Sequence, residues 1–281
     1  MSTASAPASS ANLGPGYDTL AMALDLRCRV TAEVSSGWSI HHRGPEPYQG
    51  DEGRDAILST ARQVSKRPLR LEIINHIPLC RGLGSSAAAL TAGTLAALRA
   101  NGENPSHDDL FQYVKRMEGH PDNAAAAVYG GLVSVAQGWV VHHSLSPDLV
   151  PIVVIPDFEV HTVESRKMVP DCVPLDVAVR TFGRITALIE GLRTGSDAII
   201  ENAQGDEVHE KPRLAHYPRL GELIAAANRS GALYACLSGA GPSILSLARP
   251  DQVERVRGAL LEALGGEGRV MVMSPNKTGA E

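Results

Sequence analysis

Residues 78 to 88 read Pro78-Leu79-Cys80-Arg81-Gly82-Leu83-Gly84-Ser85-Ser86-Ala87-Ala88 and continue into a stretch rich in alanine and leucine. The alanines and leucines favour a helix that begins near Ser85 and ends near Asn101-Gly102, a pair suited to a helix C-terminus. Glycines before a helix let the backbone approach an anion, and the first turn of the helix offers unpaired N–H groups. The stretch therefore predicts a cradle for phosphate groups.

This glycine stretch differs from the common P-loop, because no Gly-Lys-Ser/Thr follows its glycines. By itself, Gly82-Leu83-Gly84 is equally compatible with an ordinary tight turn between a strand and a helix. The hydroxyls of Ser85 and Ser86 have two possible uses: they can cap the helix, or one can bind the Mg²⁺ that accompanies ATP. The residue types alone leave both uses open.

The composition is typical of a globular protein with a substantial core: of 281 residues, 43% are apolar and 20% charged. The net charge of −5, without a basic stripe, gives no reason to expect nucleic-acid binding. No apolar run reaches the length of a membrane span, and the first residues do not resemble a signal peptide. We therefore expect a cytoplasmic protein without a membrane partner. Its cysteines occur singly and are expected to be free thiols: Cys28, Cys80, Cys172 and Cys236.

The two halves of the chain differ in pattern, and the polar, proline-containing stretch 144–151 separates them. Residues 1–147 mix short strands with helices, including a strand from Arg27 to Ser35 and another that ends just before Pro78. Residues 148–281 predict the order βαββαβ when their helices are counted as one layer, which is the ferredoxin-like split arrangement. The pattern therefore predicts an α+β protein of two domains.

Two polar clusters stand out in the first half. Residues 7–18 read PASSANLGPGYD, and residues 118–123 read EGHPDN, with two carboxylates, an imidazole and a carboxamide beside a predicted helix start. Turn-forming residues alone would explain the first cluster, and a turn histidine would explain part of the second. Asp122 is also suited to cap the alanine-rich helix that follows it. Glu118 supplies the kind of oxygen that Mg²⁺ prefers, so the second cluster is a candidate site.

The second half adds two arginines and a second glycine-rich loop. Arg166 follows the apolar strand 152–155, and Arg213 ends the stretch 206–213, DEVHEKPR. An isolated arginine in a charged stretch is usually solvated, but arginine is also the side chain best suited to bind a carboxylate through two parallel hydrogen bonds. Residues 237–244, LSGAGPSI, are compatible with a hairpin turn between two strands.

Together, residues 7–18, 78–88 and 118–123 resemble the GHMP small-molecule kinases, and residues 7–18 are similar to their homoserine kinase branch. The resemblance extends from Pro7 to about Leu247. It implies the GHMP kinase fold: residues 1–147 would form an N-terminal domain like the second domain of ribosomal protein S5, and residues 148–281 a ferredoxin-like C-terminal domain. It also implies a homodimer that phosphorylates L-homoserine with ATP and Mg²⁺ in threonine biosynthesis.

The resemblance also implies roles for individual residues. The ATP-binding residues would be the whole stretch 78–88 together with Gly239 and Gly241. Ser86 and Glu118 would bind Mg²⁺. The residues that bind the acceptor would be Asn12, Asp18, His120, Asp122, Arg166 and Arg213. The catalytic residues would be Glu118, Asp122 and Asn123.

A homoserine acceptor is a zwitterion with a primary hydroxyl, so its site needs both cationic donors and anionic acceptors. Arg166 and Arg213 would bind the carboxylate. Asp18 and Asp122, with the carbonyl of Asn12, would bind the ammonium. An acceptor without an ammonium would leave buried carboxylates unpaired, at a cost of about 1–3 kcal/mol or more. The charges therefore favour an amino acid as the acceptor.

Three alternatives stay open in the sequence. Asp122 is the natural candidate for a general base, but a carboxylate that holds the ammonium is poorly placed to take the hydroxyl proton. Our hypothesis is that Asn123 orients the hydroxyl and that its proton leaves largely to the phosphate. Other acceptors, such as mevalonate or shikimate, are a second alternative. The third is a non-catalytic sensor, which the intact Ser86, Glu118 and Asp122 disfavour.

Two segments depart from the pattern of the family. Gly53-Arg54-Asp55-Ala56 stands where an asparagine often helps to seat the nucleotide, so the residues around the adenine are not predicted. The segment before Pro7 is short and polar, so we expect a weak first strand. The doubled histidines His41-His42 and His142-His143 lack the spacing of metal ligands and are expected to be surface or strand residues.

Overall fold

The computed structural model describes residues 1–51 and 55–281, and in these residues the first sheet has six strands. The strands are β1 (Ser2–Ala11), β2 (Leu20–Val34), β3 (Ser39–Arg43), β4 (Leu69–Asn75), β5 (Leu132–Ala136) and β6 (Trp139–His143). The helices that accompany them are α1 (Ala56–Val64), α2 (Ser85–Ala100), α3 (His107–Glu118) and α4 (Pro121–Tyr129). Gly53 and Arg54, for which no nucleotide contact is predicted, lie outside the described residues.

The long strand β2 organises the first sheet. It pairs antiparallel with β1, with β4 over 28–34 and with β5 over 20–22, while β3 runs parallel to β4 and β6 antiparallel to β5. The expectation of a weak first strand is wrong, because β1 has ten residues and eight of them are buried. Its alanines and serines are small enough to let α2 pack closely against it. Pro7, which lacks an N–H, lies where the register with β2 shifts.

Of the two helix caps predicted in the first half of the chain, the one at α3 is formed and the one at α4 is not. Ser106 caps α3 as its serine–aspartate pattern favours, because its hydroxyl accepts the N–H of Asp109 at 3.1 Å. Asp122 does not cap α4, so that expectation is wrong. The capping position belongs to His120, and Asp122 lies buried in the first turn. Pro121 starts the helix two residues earlier than expected, because proline is preorganised for the first helical position.

The second sheet consists of β7 (Val150–Pro156), β8 (Tyr234–Leu237), β9 (Ile244–Ala248) and β10 (Gly268–Val272). Its strands are antiparallel in the order β10-β7-β9-β8, which is the predicted ferredoxin-like arrangement. The helices of this half are α5 (Thr162–Lys167), α6 (Leu175–Thr194), α7 (Asp197–Asn202), α8 (Glu210–His216), α9 (Pro218–Arg229) and α10 (Val253–Leu264).

The strand β7 is buried on both faces, which explains its bare apolar sequence. Ile152 and Val154 pack in the cluster that includes α9 and α10, whereas Val153 and Ile155 belong to the large core shared with the first sheet. Because one core joins the two sheets, the loops at their junction are held in place by packing on both sides.

The two sheets divide along the chain between His143, where β6 ends, and Val150, where β7 begins. The last residues nevertheless return to the first sheet: Glu281 exchanges two backbone hydrogen bonds with Ser5, and the N–H of Asn276 donates to the carbonyl of Ala23. The domain boundary at 147/148 stays a prediction. Of the helices in the described residues, none combines the length and apolarity that a membrane crossing needs.

Candidate active site

The glycine stretch forms a loop between β4 and α2 whose conformation demands glycine at two positions. Gly82 and Gly84 have φ values of +71° and +64°, which side-chain-bearing residues rarely adopt. A Cβ on Gly82 would lie 2.2 Å from the carbonyl oxygen of Ser238, and one on Gly84 would lie 2.1 Å from the hydroxyl of Ser9. The loop therefore packs tightly between the second glycine loop and β1.

The N-terminus of α2 is left open to an anion. None of the described side chains caps it. The hydroxyl of Ser85 donates to the carbonyl of Ile77 at 3.4 Å, and that of Ser86 donates to Oε2 of Glu118 at 2.8 Å. Of the two uses that the sequence leaves open for these hydroxyls, capping is therefore not realised. The first-turn N–H groups and the positive end of the helix dipole can bind phosphate oxygens.

Ser86 and Glu118 bring a hydroxyl and a carboxylate together at the mouth of this loop. Glu118 is the last residue of α3, and Gly119 ends the helix in the left-handed conformation, with φ +77°. Burial raises the pKa of Glu118, while the hydrogen bond from Ser86 lowers it. Two hard oxygen ligands at this spacing suit Mg²⁺, so the donor set fits the metal that accompanies a nucleotide.

A cavity of about 180 Å³ lies between the loop and the second half of the chain. The residues predicted from the sequence that line it are Asn12, Asp18, Pro78, Cys80, Arg81, Gly82, Leu83, Gly84, Ser85, Ser86, Glu118, His120, Asp122, Asn123, Arg166, Arg213 and Gly239. Four predicted residues lie outside its lining: Leu79, Ala87, Ala88 and Gly241. Three further residues line the cavity and are not predicted from the sequence: Tyr17, Thr162 and Ala240.

Tyr17 lies between the two arginines of the cavity. Its ring is 5.5 Å from Cζ of Arg166 and 5.6 Å from Cζ of Arg213, and its hydroxyl accepts a hydrogen bond from Nη1 of Arg166 at 3.1 Å. Arg166 also pairs with Asp18, at 2.5 Å. An aromatic residue directly before Asp18 was the only signal in the sequence, and nothing local shows that two arginines approach it.

Arg213 is almost fully buried, with 2% of its surface exposed. Its Nε donates to the carbonyl of Ser165 at 3.3 Å, and its Nη1 donates to the carbonyl of Gly239 at 3.2 Å and to Nδ1 of His209 at 2.8 Å. Burial lowers its pKa. A buried cation at a cavity is a strong attractor for an anionic group of a ligand.

Asp122 is a buried carboxyl at the bottom of the cavity, with 2% of its surface exposed. Burial raises its pKa to about 7, although the N–H of Asn123 donates to it at 2.8 Å and lowers the value; the nearby charge of Asp18 raises it further. Beside it, burial lowers the pKa of His120, and the charge of Arg166 acts in the same direction. A cationic ligand group would stabilise the ionised form of Asp122.

Two amides connect the segments around the cavity. The hydroxyl of Ser9 donates to Oδ1 of Asn123 at 2.8 Å, so the NH₂ group of this amide is the part available to a ligand. Asn12 donates from Nδ2 to the carbonyl of Gly239 at 2.9 Å and accepts the N–H of Asp18 at 3.0 Å. The side chain of Asn12 therefore holds residues 12–18 against the second glycine loop.

The side chain of Arg81 is directed at the second half of the chain. It donates to the carbonyls of Pro156 at 3.0 Å and Asp157 at 2.6 Å and forms an ion pair with Glu159 at 3.2 Å. The backbone of Arg81 belongs to the loop, while its guanidinium ties the loop to the end of β7.

A second cavity, of about 250 Å³, lies on the other side of the loop. Its lining includes Cys28, Tyr48, Leu79 and Cys80 and also Ser86, so it adjoins the first cavity. At its edge, Oδ1 of Asp55 caps α1 and Oδ2 lies 2.6 Å from Nε2 of His42. As expected, His42 is a strand residue, and it pairs with a carboxylate. A largely apolar pocket next to a phosphate cradle suits a nucleobase.

Comparison with known proteins gives consistent matches across the chain. The family model described as GHMP kinases N terminal domain matches residues 54–131, and that described as GHMP kinases C terminal matches residues 185–266. The homoserine kinase of Moorella thermoacetica is 38% identical over 88% of this chain and 87% of its own. That of Desulfitobacterium hafniense is 34% identical over 98% and 97%. The crystal structure of homoserine kinase from Cytophaga hutchinsonii superposes with a TM-score of 0.88 at 27% identity, over 100% and 96%.

Proposed function

The chain belongs to the homoserine kinases of the GHMP kinase family, and on this basis we propose that it transfers the γ-phosphoryl group of ATP to the side-chain hydroxyl of L-homoserine. The product is O-phospho-L-homoserine, an intermediate of threonine biosynthesis. The observation that supports this reaction best is the cavity itself. Two guanidinium groups and two carboxylates, of Arg166, Arg213, Asp18 and Asp122, line one small space directly beside a phosphate loop.

The charges of this cavity match those of an amino acid. Arg213, with Arg166, binds the carboxylate of L-homoserine, and Asp122, with Asp18, binds its ammonium. Asp122 is buried and forms no ion pair with the described residues, although the charge of Arg166 lowers its pKa somewhat, so the ammonium group supplies the direct partner that stabilises its ionised form. Mevalonate and shikimate carry no ammonium, so either would leave Asp122 without a partner.

The reaction depends mainly on positioning and on the neutralisation of phosphate charge. The loop amides and the N-terminus of α2 hold the phosphates, and the NH₂ group of Asn123 orients the hydroxyl of the acceptor. Asp122 anchors the ammonium rather than acting as the base, and the proton of the hydroxyl leaves to the transferred phosphate. Glu118 and Ser86 would hold Mg²⁺, and the ion would supply positive charge against the negative charge that develops on the phosphates.

The second cavity is the proposed site of the adenine. Its lining by Tyr48, Leu79 and Cys28 suits an apolar base, and its contact with Cys80 and Ser86 joins it to the phosphate loop. The pair of His42 and Asp55 stands at its edge, and Asp55 belongs to the segment 53–56 where the family often has an asparagine. The homodimer implied by the resemblance and the cytoplasmic location expected from the composition stay predictions. Light scattering in solution tests the homodimer.

The first experiment measures ADP release from ATP with L-homoserine, D-homoserine, mevalonate or shikimate, each with and without Mg²⁺. Stereospecific, Mg²⁺-dependent turnover of L-homoserine is the expected result. Turnover of mevalonate or shikimate instead would keep the kinase reaction and overturn the assignment of the four charged residues. ATP binding without turnover of any acceptor would support the sensor alternative.

A further inference from the structure

The guanidinium group of Arg213 is held at one side and open at the other. Its Nε and Nη1 donate to Ser165, Gly239 and His209. Its Nη2 meets no acceptor among the described residues, and Arg213 lines the cavity. The three acceptors thus determine where Nη2 points, and His209 is the only side chain among them.

The contacts of His209 determine its tautomer. Arginine can only donate, so Nδ1 of His209 must be the unprotonated nitrogen that accepts from Arg213 at 2.8 Å. Nε2 then carries the proton and donates a hydrogen bond to the carbonyl of Gly14 at 2.7 Å. The ring is fully buried, and burial lowers its pKa to about 4 against the opposing effect of Asp206. The imidazole is therefore neutral at the pH at which a kinase works.

The position of His209 is itself tightly determined. Its ring stacks on that of Tyr17, with centroids 5.2 Å apart and planes 24° from parallel, and its backbone N–H donates to Asp206 at 2.6 Å. Gly14 has a φ of +71°, and a Cβ there would lie 2.3 Å from the hydroxyl of Tyr234, so the carbonyl that accepts this hydrogen bond has little freedom. Both ends of the imidazole meet fixed groups.

We propose that His209 is a positioning residue for the acceptor: its neutral imidazole holds Nη1 of Arg213, so that Nη2 faces the carboxylate of L-homoserine. His209 is absent from the lining of the cavity and acts only through Arg213. The proposal rests on the proposed function, because it takes that carboxylate as the partner of Arg213. It predicts that His209 affects the binding of the acceptor and leaves ATP binding unchanged.

Two substitutions of His209 test its two ring nitrogens independently. Asparagine carries its amide near the place of Nδ1, and glutamine near the place of Nε2. His209→Asn therefore keeps an acceptor for Arg213, whereas His209→Gln keeps the donor to Gly14 and loses the bond to Arg213. We expect the KM for L-homoserine to rise about tenfold in His209→Gln and by only about twofold in His209→Asn, with the KM for ATP unchanged in both.

If His209 only joined the two halves of the chain through its bond to Gly14, the two variants would rank in the opposite order. His209→Asn, which loses that bond, would then be the more impaired variant, and a lower melting temperature would be its main effect. That order, or equal KM values in the two variants, would overturn the proposal. His216→Ala is the matched control, because His216 is an exposed histidine at the C-terminal end of α8, the helix that His209 directly precedes. It should match the wild type in every parameter.

A double-mutant cycle makes the test independent of overall stability. In an Arg213→Met background, His209→Gln should cause no further rise in the KM for L-homoserine, because the group that it positions is gone. Additive effects of the two substitutions would contradict the coupling. A wild-type protein that does not phosphorylate L-homoserine would contradict the proposed function instead, so the two failures are distinguishable.

Discussion

The two sides of the cavity are built in different ways. The proposed phosphate side comes from one continuous segment, 78–88, whose loop glycines and helix start present backbone groups to the cavity. The acceptor side comes from side chains of separate segments: Asp18 precedes β2, Asp122 lies in α4, Arg166 in α5 and Arg213 in α8. Backbone geometry is encoded locally, whereas a set of matched charges needs the folded chain.

This difference predicts which kind of substitution should lower activity on each side of the cavity. On the phosphate side, a change of backbone conformation should matter more than a change of side-chain charge. On the acceptor side, a side chain acts through partners that lie far away in sequence, as Arg166 does with Asp18.

The largest effect is expected on the phosphate side, from Gly82→Ala. The new Cβ would lie 2.2 Å from the carbonyl oxygen of Ser238, and φ at this position is +71°. The loop must therefore move, and a displacement of about 1 Å in a catalytic site can lower kcat/KM about 10²-fold. Steady-state kinetics with ATP as the varied substrate measures the loss.

Gly102→Ala is the control for this substitution. Gly102 has a φ of +87°, but nothing lies within 4 Å of the position that its Cβ would take. It therefore carries the same backbone strain without the clash and should keep full activity. If Gly82→Ala keeps the same kcat/KM as Gly102→Ala, the tight packing of the two glycine loops does not affect the reaction. The phosphate side would then not depend on its backbone conformation.

The next effect concerns the acceptor side and its pH dependence. Asp122 has a pKa raised to about 7 in the free protein and must be ionised to bind an ammonium group. As the pH falls below 7, kcat/KM for L-homoserine should fall about tenfold per pH unit, while kcat changes less because the bound ammonium lowers the pKa. A pH profile of both parameters measures this.

Asp122→Asn separates anchoring from base catalysis. We expect this variant to lose affinity for L-homoserine and the acid limb of the profile, with turnover at saturating L-homoserine retained. Collapse of that turnover would instead make Asp122 the general base. The variant should also melt at a higher temperature than the wild type at pH 8. A buried carboxyl with a raised pKa costs increasing stability as the pH rises from its ordinary pKa to about 7, and the full amount above 7.

The smallest effect is expected from Ser9→Ala, at a hydrogen bond that lies beside Gly84 of the glycine loop. Loss of the 2.8 Å hydrogen bond to Oδ1 of Asn123 lets the amide turn. We expect kcat to fall about three- to fivefold, with the KM for L-homoserine unchanged, because one neutral hydrogen bond is worth about 1 kcal/mol. Stopped assays at saturating substrates detect this change.

The neighbouring Ser10→Ala is the matched control for Ser9→Ala. The hydroxyl of Ser10 is equally buried but has no hydrogen-bond partner among the described residues. Its removal should leave kcat unchanged. Equal losses in the two variants would show that packing in β1, and not the orientation of Asn123, controls the rate.

Much of the fold could be predicted from local patterns. The bare apolar β7, the capped start of α3 and the order of strands in the second half were predicted from periodicity and turn residues. The prediction that β1 is weak was wrong, because a segment of alanines and serines has little apolar surface to indicate a buried strand. Its burial depends on the helix that packs on it. The prediction that Asp122 caps α4 was also wrong, because the burial of its carboxyl depends on segments that are distant in the sequence.

The loop of residues 78–88 and the family could be predicted from the sequence by itself, because a turn and a helix start depend on contiguous residues with strong local preferences. The assignment of Ser86 and Glu118 as Mg²⁺ ligands stays a prediction. Only the tertiary structure decided that Tyr17 lies between two arginines, that Ser9 orients Asn123 and that His209 holds Arg213. The physical reason is distance along the chain. A turn or a helix start is specified by its own residues, whereas a hydrogen bond between residues 9 and 123 exists only once the core has brought β1 and α4 together.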